Sequence, residues 1–242
     1  MSDIGAIILA AGKGTRMKSD LPKVLHKIND KALAEYVIDA VFSAGIDKVC
    51  LVIGYQADLV KENIHRDVTY AYQEEQLGTG HAVMCAKDFI PDEGDTLILC
   101  GDTPLITGVT LKKLMDYHKN EGNYATVLSA IMEDPTGYGR IIRDKEGNFV
   151  KNVEHKDASE EERKVCEINS GMYIFNSKEL KEGLSGLTTD NAQGEYYLPD
   201  VIVAIRNKGL KVGAYCLDDP EEIFGINTVE QLEQAGRIID KR

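Results

Sequence analysis

Apolar residues along this chain fall into two rhythms. Ile4 to Leu9 is a near-continuous apolar run of strand length, the mark of a strand covered on both faces. Val49 to Ile53, Val68 to Tyr72 and Thr96 to Cys100 read as further strands. Between them, Leu33, Tyr36, Val37, Ala40, Val41 and Ala44 recur at helical spacing, and Gly45 is placed to end that helix. Ala57 to Ile64 and Thr79 to Cys85 read as shorter helices. This alternation predicts an α/β fold with a parallel sheet and helices on both faces. Such sheets bind ligands at the carboxyl ends of their strands.

From about residue 125 the rhythm changes. Ala125 to Met132, Arg140 to Asp144, Phe149 to Glu154 and Glu167 to Phe175 read as strands joined by turns, Lys145-Glu146-Gly147-Asn148 among them. They predict an antiparallel or mixed insert. The acidic run Asp157 to Lys164 reads as a solvated helical turn. A helix over Pro199 to Arg206, a strand over Lys211 to Leu217 and a helix over Val229 to Ile239 complete the pattern. With no Pro/Ser-rich linker, repeat or low-complexity tract, residues 1–242 read as one domain.

Composition narrows the function. A chain of 242 residues buries roughly 70 to 75% of its unfolded surface on folding, so the core needs no disulfide staple. Cys50, Cys85, Cys100, Cys166 and Cys216 show no Cys-x-x-Cys spacing, which reads as reduced thiols in a cytoplasmic protein. Nothing reads as a signal peptide, and no stretch approaches the roughly 20 apolar residues of a membrane span. The net charge of -12 argues against nucleic acid, which demands a basic stripe.

Candidate chemistry concentrates where the first strand ends. Leu9-Ala10-Ala11-Gly12-Lys13-Gly14-Thr15-Arg16-Met17 leads on to Leu21-Pro22-Lys23. Gly12 and Gly14 allow a tight turn whose N–H groups converge on phosphate oxygens. Lys13, Arg16 and Lys23 reverse the sign of an acidic chain and call for an anionic ligand or a structural reason. The spacing is too short for a Walker loop, and Met17 stands where a dinucleotide loop needs its third glycine. A second stretch, Gln73-Glu74-Glu75-Gln76-Leu77-Gly78-Thr79-Gly80-His81-Ala82, puts backbone N–H and C=O groups at a helix start. These suit an amide-like heterocycle edge or an anion. His81 reads as a packed or hydrogen-bonded histidine rather than a catalyst. In Cys100-Gly101-Asp102-Thr103-Pro104-Leu105, Asp102 follows a buried strand. There it suits a hard cation such as Mg²⁺ or caps the next helix.

The opening loop resembles the signature of sugar-1-phosphate nucleotidyltransferases. Gln73 to Ala82 resembles the corresponding stretch of bacterial N-acetylglucosamine-1-phosphate uridylyltransferases, which make UDP-N-acetylglucosamine. Gly137-Tyr138-Gly139-Arg140-Ile141, Val153-Glu154-His155-Lys156-Asp157-Ala158 and Glu167-Ile168-Asn169-Ser170-Gly171 resemble further motifs of that family, in the same order. The resemblance implies a Rossmann-like nucleotidyltransferase fold with a mixed, mostly parallel central sheet and an antiparallel insert. It also implies transfer from UTP to N-acetylglucosamine-1-phosphate with release of pyrophosphate, assisted by Mg²⁺ on Asp102 and Asn227. Arg16 and Lys23 would neutralise the triphosphate and the α-phosphate, and Gln73 and Gly78 would read the uracil edge. Gly139, Glu154 and Asn169 would face the sugar. Leu9, Ala10, Ala11, Gly12, Thr79, Cys100 and Gly101 are further substrate-binding positions on the same grounds.

The chain departs from the family pattern at Thr228, where relatives more often carry arginine after the asparagine, and at Ser170, where threonine is usual. Relatives continue into a β-helix of hexapeptide repeats that acetylates glucosamine-1-phosphate. No such repeat occurs between Met1 and Arg242, so no acetyl transfer is expected of this chain. The alternatives are a sibling such as a glucose-1-phosphate thymidylyltransferase or a cytidylyltransferase, and a non-catalytic nucleotide-sugar sensor. The presence of Arg16, Lys23 and Asp102 speaks against the sensor. The expected partners are the two small-molecule substrates, with neither nucleic acid nor membrane, and the oligomeric state stays open.

Overall fold

The computed structural model describes residues 4–242. Strand β1 (Ile4–Leu9) runs through the interior of the sheet because it is apolar on both sides: Ala6 and Ile8 enter one core, Ile7 the other. A tight hairpin follows, β2 (Lys27–Ile28) and β3 (Lys31–Ala32). Asn29 and Asp30 form its turn with positive φ at both, the conformation that matches the twist of a two-residue hairpin. Then come α1 (Leu33–Ser43), β4 (Lys48–Ile53), α2 (Ala57–Asn63), β5 (Thr69–Tyr72), α3 (Thr79–Cys85) and β6 (Asp95–Cys100), in the predicted alternation.

The second half contains α4 (Gly108–Glu121), β7 (Ala125–Ile131), β8 (Arg140–Arg143), β9 (Phe149–Val153), α5 (Glu160–Arg163) and β10 (Glu167–Asn176). It closes with α6 (Ser177–Ser185), α7 (Pro199–Asn207), β11 (Val212–Leu217) and α8 (Val229–Ile239). The β2–β3 hairpin, α4 and α6 lie outside the elements that the hydrophobic pattern predicts. In α4 the buried residues Leu111, Leu114 and His118 stand among charged neighbours, so its apolar stripe is thin. Its ends are nevertheless marked: the Thr107 hydroxyl accepts the Thr110 N–H, and Gly122 closes the helix at positive φ.

The sheet order is β11-β7-β10-β6-β1-β4-β5. Strands β6, β1, β4 and β5 are mutually parallel, as are β7 and β11. Strand β10 is reversed between β6 and β7, and β8 pairs antiparallel with β10 and with β9. The sheet is therefore mixed and mostly parallel, with an antiparallel corner.

Side-chain alternation sends Leu51, Ile53, Leu97 and Leu99 to the core beneath α1, α2 and α4. Cys50, Val52 and Ile98 go to the core beneath α3, α6 and α7. A third, smaller cluster of Met17, Ile28, Leu33, Leu105, Ile226 and Ala235 ties the exit of the glycine loop to the hairpin and to α8. All five cysteines are free thiols. No helix among the described residues is long and apolar enough to cross a membrane.

Candidate active site

Register brings two of the predicted motifs together. Leu9 lies beside Val52 on one flank and Cys100 on the other. Beyond it, Ala10 N–H donates to Val52 O at 2.8 Å and Gly101 N–H to Leu9 O at 2.9 Å. Leu9 to Gly12 and Cys100 to Asp102 thus leave the sheet side by side. Gly14 then takes φ 67, and a Cβ there would stand 2.5 Å from Lys23 Cβ. Only glycine lets the loop fold back against the Lys23 stem.

Lys23 Nζ bonds Asp102 Oδ2 and donates to Asn227 Oδ1 at 3.0 Å. Arg16 Nη2 donates to that same Oδ1 at 2.8 Å. Ile226 N–H donates to Asp102 O at 2.9 Å, tying the two backbones together, and Asn227 Nδ2 donates to Gly225 O at 3.3 Å, which orients the Asn227 side chain. Thr228 has a local reason to be where it is. It N-caps α8 by accepting the Gln231 N–H, while Gln231 Oε1 accepts the Asn227 and Thr228 N–H groups. Asp102 is not a helix cap, since Thr107 fills that role for α4. Lys13 stands apart from this group, 5.2 Å over the Tyr55 ring.

Beside these charges opens a cleft of about 300 Å³ lined by Leu9, Ala10, Ala11, Gly12, Lys23, Gln73, Gly78, Thr79, Cys100 and Asp102. Gln76 and Glu195 line it too, and sequence reasoning singled out neither. Gln76 stands within a motif whose neighbours were legible, whereas Glu195 belongs to an irregular segment with no periodic signal. One expectation needs correcting: the Gly80 N–H is not open to a ligand, because it donates to Tyr196 O at 2.8 Å. Burial pushes the Cys100 thiol up to about 12, with Asp102 adding and Lys23 opposing, so this cysteine is no nucleophile at neutral pH.

Gly139, Glu154 and Asn169 form a second cluster outside that cleft. Asn169 N–H donates to Gly139 O at 2.9 Å, and a Cβ on Gly139 would meet Glu154 Oε1 at 2.9 Å. Glu154 Oε1 accepts from Asn152 Nδ2 at 3.1 Å. Burial raises the Glu154 carboxyl above the usual range, and Asp157 and Asp200 raise it further. Asn169 Nδ2 donates to Tyr173 Oη at 2.7 Å and its Oδ1 accepts the Gly171 N–H at 2.9 Å, which braces the irregularity in β10. The Cys100 thiol, 3.4 Å from Gly171 O, joins this corner to the cleft.

The family model described as nucleotidyl transferase matches residues 5–220. The chain belongs to that family. Among curated relatives, the bifunctional protein GlmU of Caldanaerobacter subterraneus subsp. tengcongensis is 53% identical over 242 residues, 100% of this chain and 53% of the relative. The GlmU of Clostridioides difficile is 51% identical over 237 residues, 98% of this chain and 52% of the relative. The chain thus spans about half the length of the curated relatives it matches. A crystal structure of UDP-glucose pyrophosphorylase complexed with UDP-glucose superposes with TM-score 0.80 at 21% identity, covering 100% of this chain and 99% of that one. At that identity the likeness speaks for the nucleotidyltransferase fold.

Proposed function

We propose that this chain transfers the uridylyl group of UTP to N-acetylglucosamine-1-phosphate, releasing pyrophosphate. The observation that carries the reading is the meeting of Lys23, Arg16, Asp102 and Asn227 at the carboxyl edge of the sheet. Lys23 and Asp102 line the cleft that a nucleotide would enter, with Asn227 bonded to Lys23 and Arg16 to Asn227. The sugar phosphate oxygen attacks the α-phosphorus, a new P–O bond forms, and the bond to the β-phosphate oxygen breaks. Such transfer depends on positioning and charge neutralisation rather than on a protein nucleophile.

Among the described residues no cluster of His, Cys, Asp or Glu large enough to cage a metal occurs. Asp102 Oδ2 and Asn227 Oδ1 nevertheless converge on one ammonium, so both aim at a single cationic point. Two hard oxygens suit Mg²⁺, and Asp102 and Asn227 would hold it there. When bound, Mg²⁺ supplies charge neutralisation on the phosphates. Arg16 and Lys23 meet the triphosphate and the α-phosphate, Gln73 and Gly78 the uracil edge, and Gly139, Glu154 and Asn169 the sugar.

On this reading residues 1–242 are a single pyrophosphorylase domain working in the cytoplasm, where free thiols persist. Its partners are small molecules, and neither nucleic acid nor membrane takes part. Pyrophosphate release should be measured over UTP, CTP, dTTP and ATP against N-acetylglucosamine-, N-acetylgalactosamine- and glucose-1-phosphate with Mg²⁺. The highest rate is expected with UTP and N-acetylglucosamine-1-phosphate. A higher rate with dTTP and glucose-1-phosphate would favour the sibling enzyme, and nucleotide binding without turnover would favour a sensor.

A further inference from the structure

Of the three cations singled out in the opening loop, Lys13 alone meets no oxygen. Lys23 and Arg16 are engaged with Asp102 or Asn227. Lys13 is exposed and makes no hydrogen bond or ion pair to any described residue, its Nζ lying 5.2 Å over the Tyr55 ring. That ring belongs to the turn after β4, which is tied to the loop. Tyr55 N–H donates to Ala11 O at 3.2 Å, and Gln56 Nε2 donates to Tyr55 Oη and to Asp20 O, both at 3.0 Å. An exposed cation–π contact is weak, whereas an ammonium on a phosphate oxygen makes a charge-assisted hydrogen bond. The lysine stem is flexible and starts one residue from Gly12, which lines the cleft. An anion at the cleft mouth would therefore draw the ammonium off the ring.

Strand order says where such an anion would stand. Strands β10, β6, β1 and β4 follow one another across the sheet. The proposed sugar cluster lies at the β10 corner with Asn169, and Gly171 O meets Cys100 Sγ there. Asp102 and Lys23, assigned to the reacting phosphate, follow β6 and β1. Phosphoryl transfer is in line, so the leaving oxygen departs on the side of phosphorus opposite the attacking sugar phosphate. From β10 across β6, that direction runs past β1 to β4, toward Gly12, Lys13 and Tyr55. The ribose oxygen lies across that axis, so the base can run down to the buried Gln73 without blocking it. We infer that Lys13 binds the leaving pyrophosphate and offsets the charge that builds on it. The bridging oxygen takes the bonding electron pair with it, and the ammonium neutralises that charge without giving up its proton. The inference rests on the cleft hosting the proposed transfer.

The test compares dissociation constants for pyrophosphate and UDP-N-acetylglucosamine, by calorimetry with Mg²⁺ present, in the wild-type chain, Lys13→Ala, Lys13→Arg and Lys61→Ala. UDP-N-acetylglucosamine has nothing on the leaving-group side of its α-phosphorus, since its second phosphate belongs to the sugar. Lys13→Ala should weaken pyrophosphate about tenfold or more and leave UDP-N-acetylglucosamine within about threefold of wild type. Lys13→Arg keeps the charge and should hold pyrophosphate within about threefold. Lys61→Ala removes the same charge from over another ring, that of Tyr70 at 5.7 Å, and should change neither ligand. Unchanged pyrophosphate binding in Lys13→Ala, equal weakening of both ligands, or an equal loss in Lys61→Ala would overturn the inference. A wild type that binds pyrophosphate through Lys13 but does not bind UDP-N-acetylglucosamine would uphold it and overturn the proposed reaction.

Discussion

The two halves of the candidate site are built on different kinds of sheet edge and treat charge in opposite ways. The proposed nucleotide half stands where the parallel strands β1, β5 and β6 end, and its carboxylate, Asp102, bonds the Lys23 ammonium. The proposed sugar half stands on the antiparallel corner of β8, β9 and β10. Its carboxylate, Glu154, bonds a neutral amide and sits near Asp157 and Asp200, so burial and like charge hold its carboxyl above the usual range. A phosphate-handling site needs fixed cations whose field is strong in a partly dry cleft. A sugar hydroxyl needs only a well-placed acceptor. The contrast teaches that carboxylates of similar chemistry are given different work by what packs around them.

The largest expected effect tests the charged half. Lys23→Ala should lower kcat/KM about a hundred- to a thousandfold in the pyrophosphate-release assay, the scale of losing one preorganised charge at a reacting phosphate. A loss below about tenfold would remove Lys23 from the phosphates.

Next, Gln73→Ala should weaken UTP by about 1 to 3 kcal/mol, the cost of an unpaired polar edge, and leave pyrophosphate inhibition unchanged. Equal weakening of both ligands would mean that Gln73 does not read the base.

The smallest effect lies on the sugar side, where Glu154→Gln should raise KM for the sugar phosphate about tenfold and spare UTP. Its effect on stability has the opposite sign. A carboxyl raised in the folded state contributes stability below its unfolded pKa and loses it as pH rises through the folded one. Thermal melts should therefore show the Gln variant gaining on wild type as pH rises from the ordinary glutamate range toward neutrality. A Gln variant that loses ground to wild type as pH rises would contradict the buried-carboxyl account.

The same contrast explains what could be read from the chain. On the parallel side each motif follows a strand, so Gly12, Gln73 and Asp102 fall near strand ends by local pattern alone. The reversal of β10 between β6 and β7 could not be read that way, because strand order is set by pairing between distant segments. Nor could spacing pair Lys23 with Asn227 across 204 positions, or send Lys13 to Tyr55 while its neighbour Arg16 joins the cluster. Asn169 was legible as a polar residue in a strand. Its bracing bonds to Tyr173 and Gly171 depend on an irregular register that sequence does not mark.

Asp102 and Asn227 are proposed to act together on one cation during transfer. A double-mutant cycle of Asp102→Asn and Asn227→Ala, read as kcat at sub-saturating Mg²⁺ with the fold checked by circular dichroism, tests it directly. Asp102→Asn keeps the shape and removes the charge, so turnover should fall about a hundredfold or more, about 3 kcal/mol of barrier, with part recovered by added Mg²⁺. The double variant should lose less than the sum of the two single variants. A kcat within about threefold of wild type for Asp102→Asn, or full additivity in the cycle, would contradict the claim.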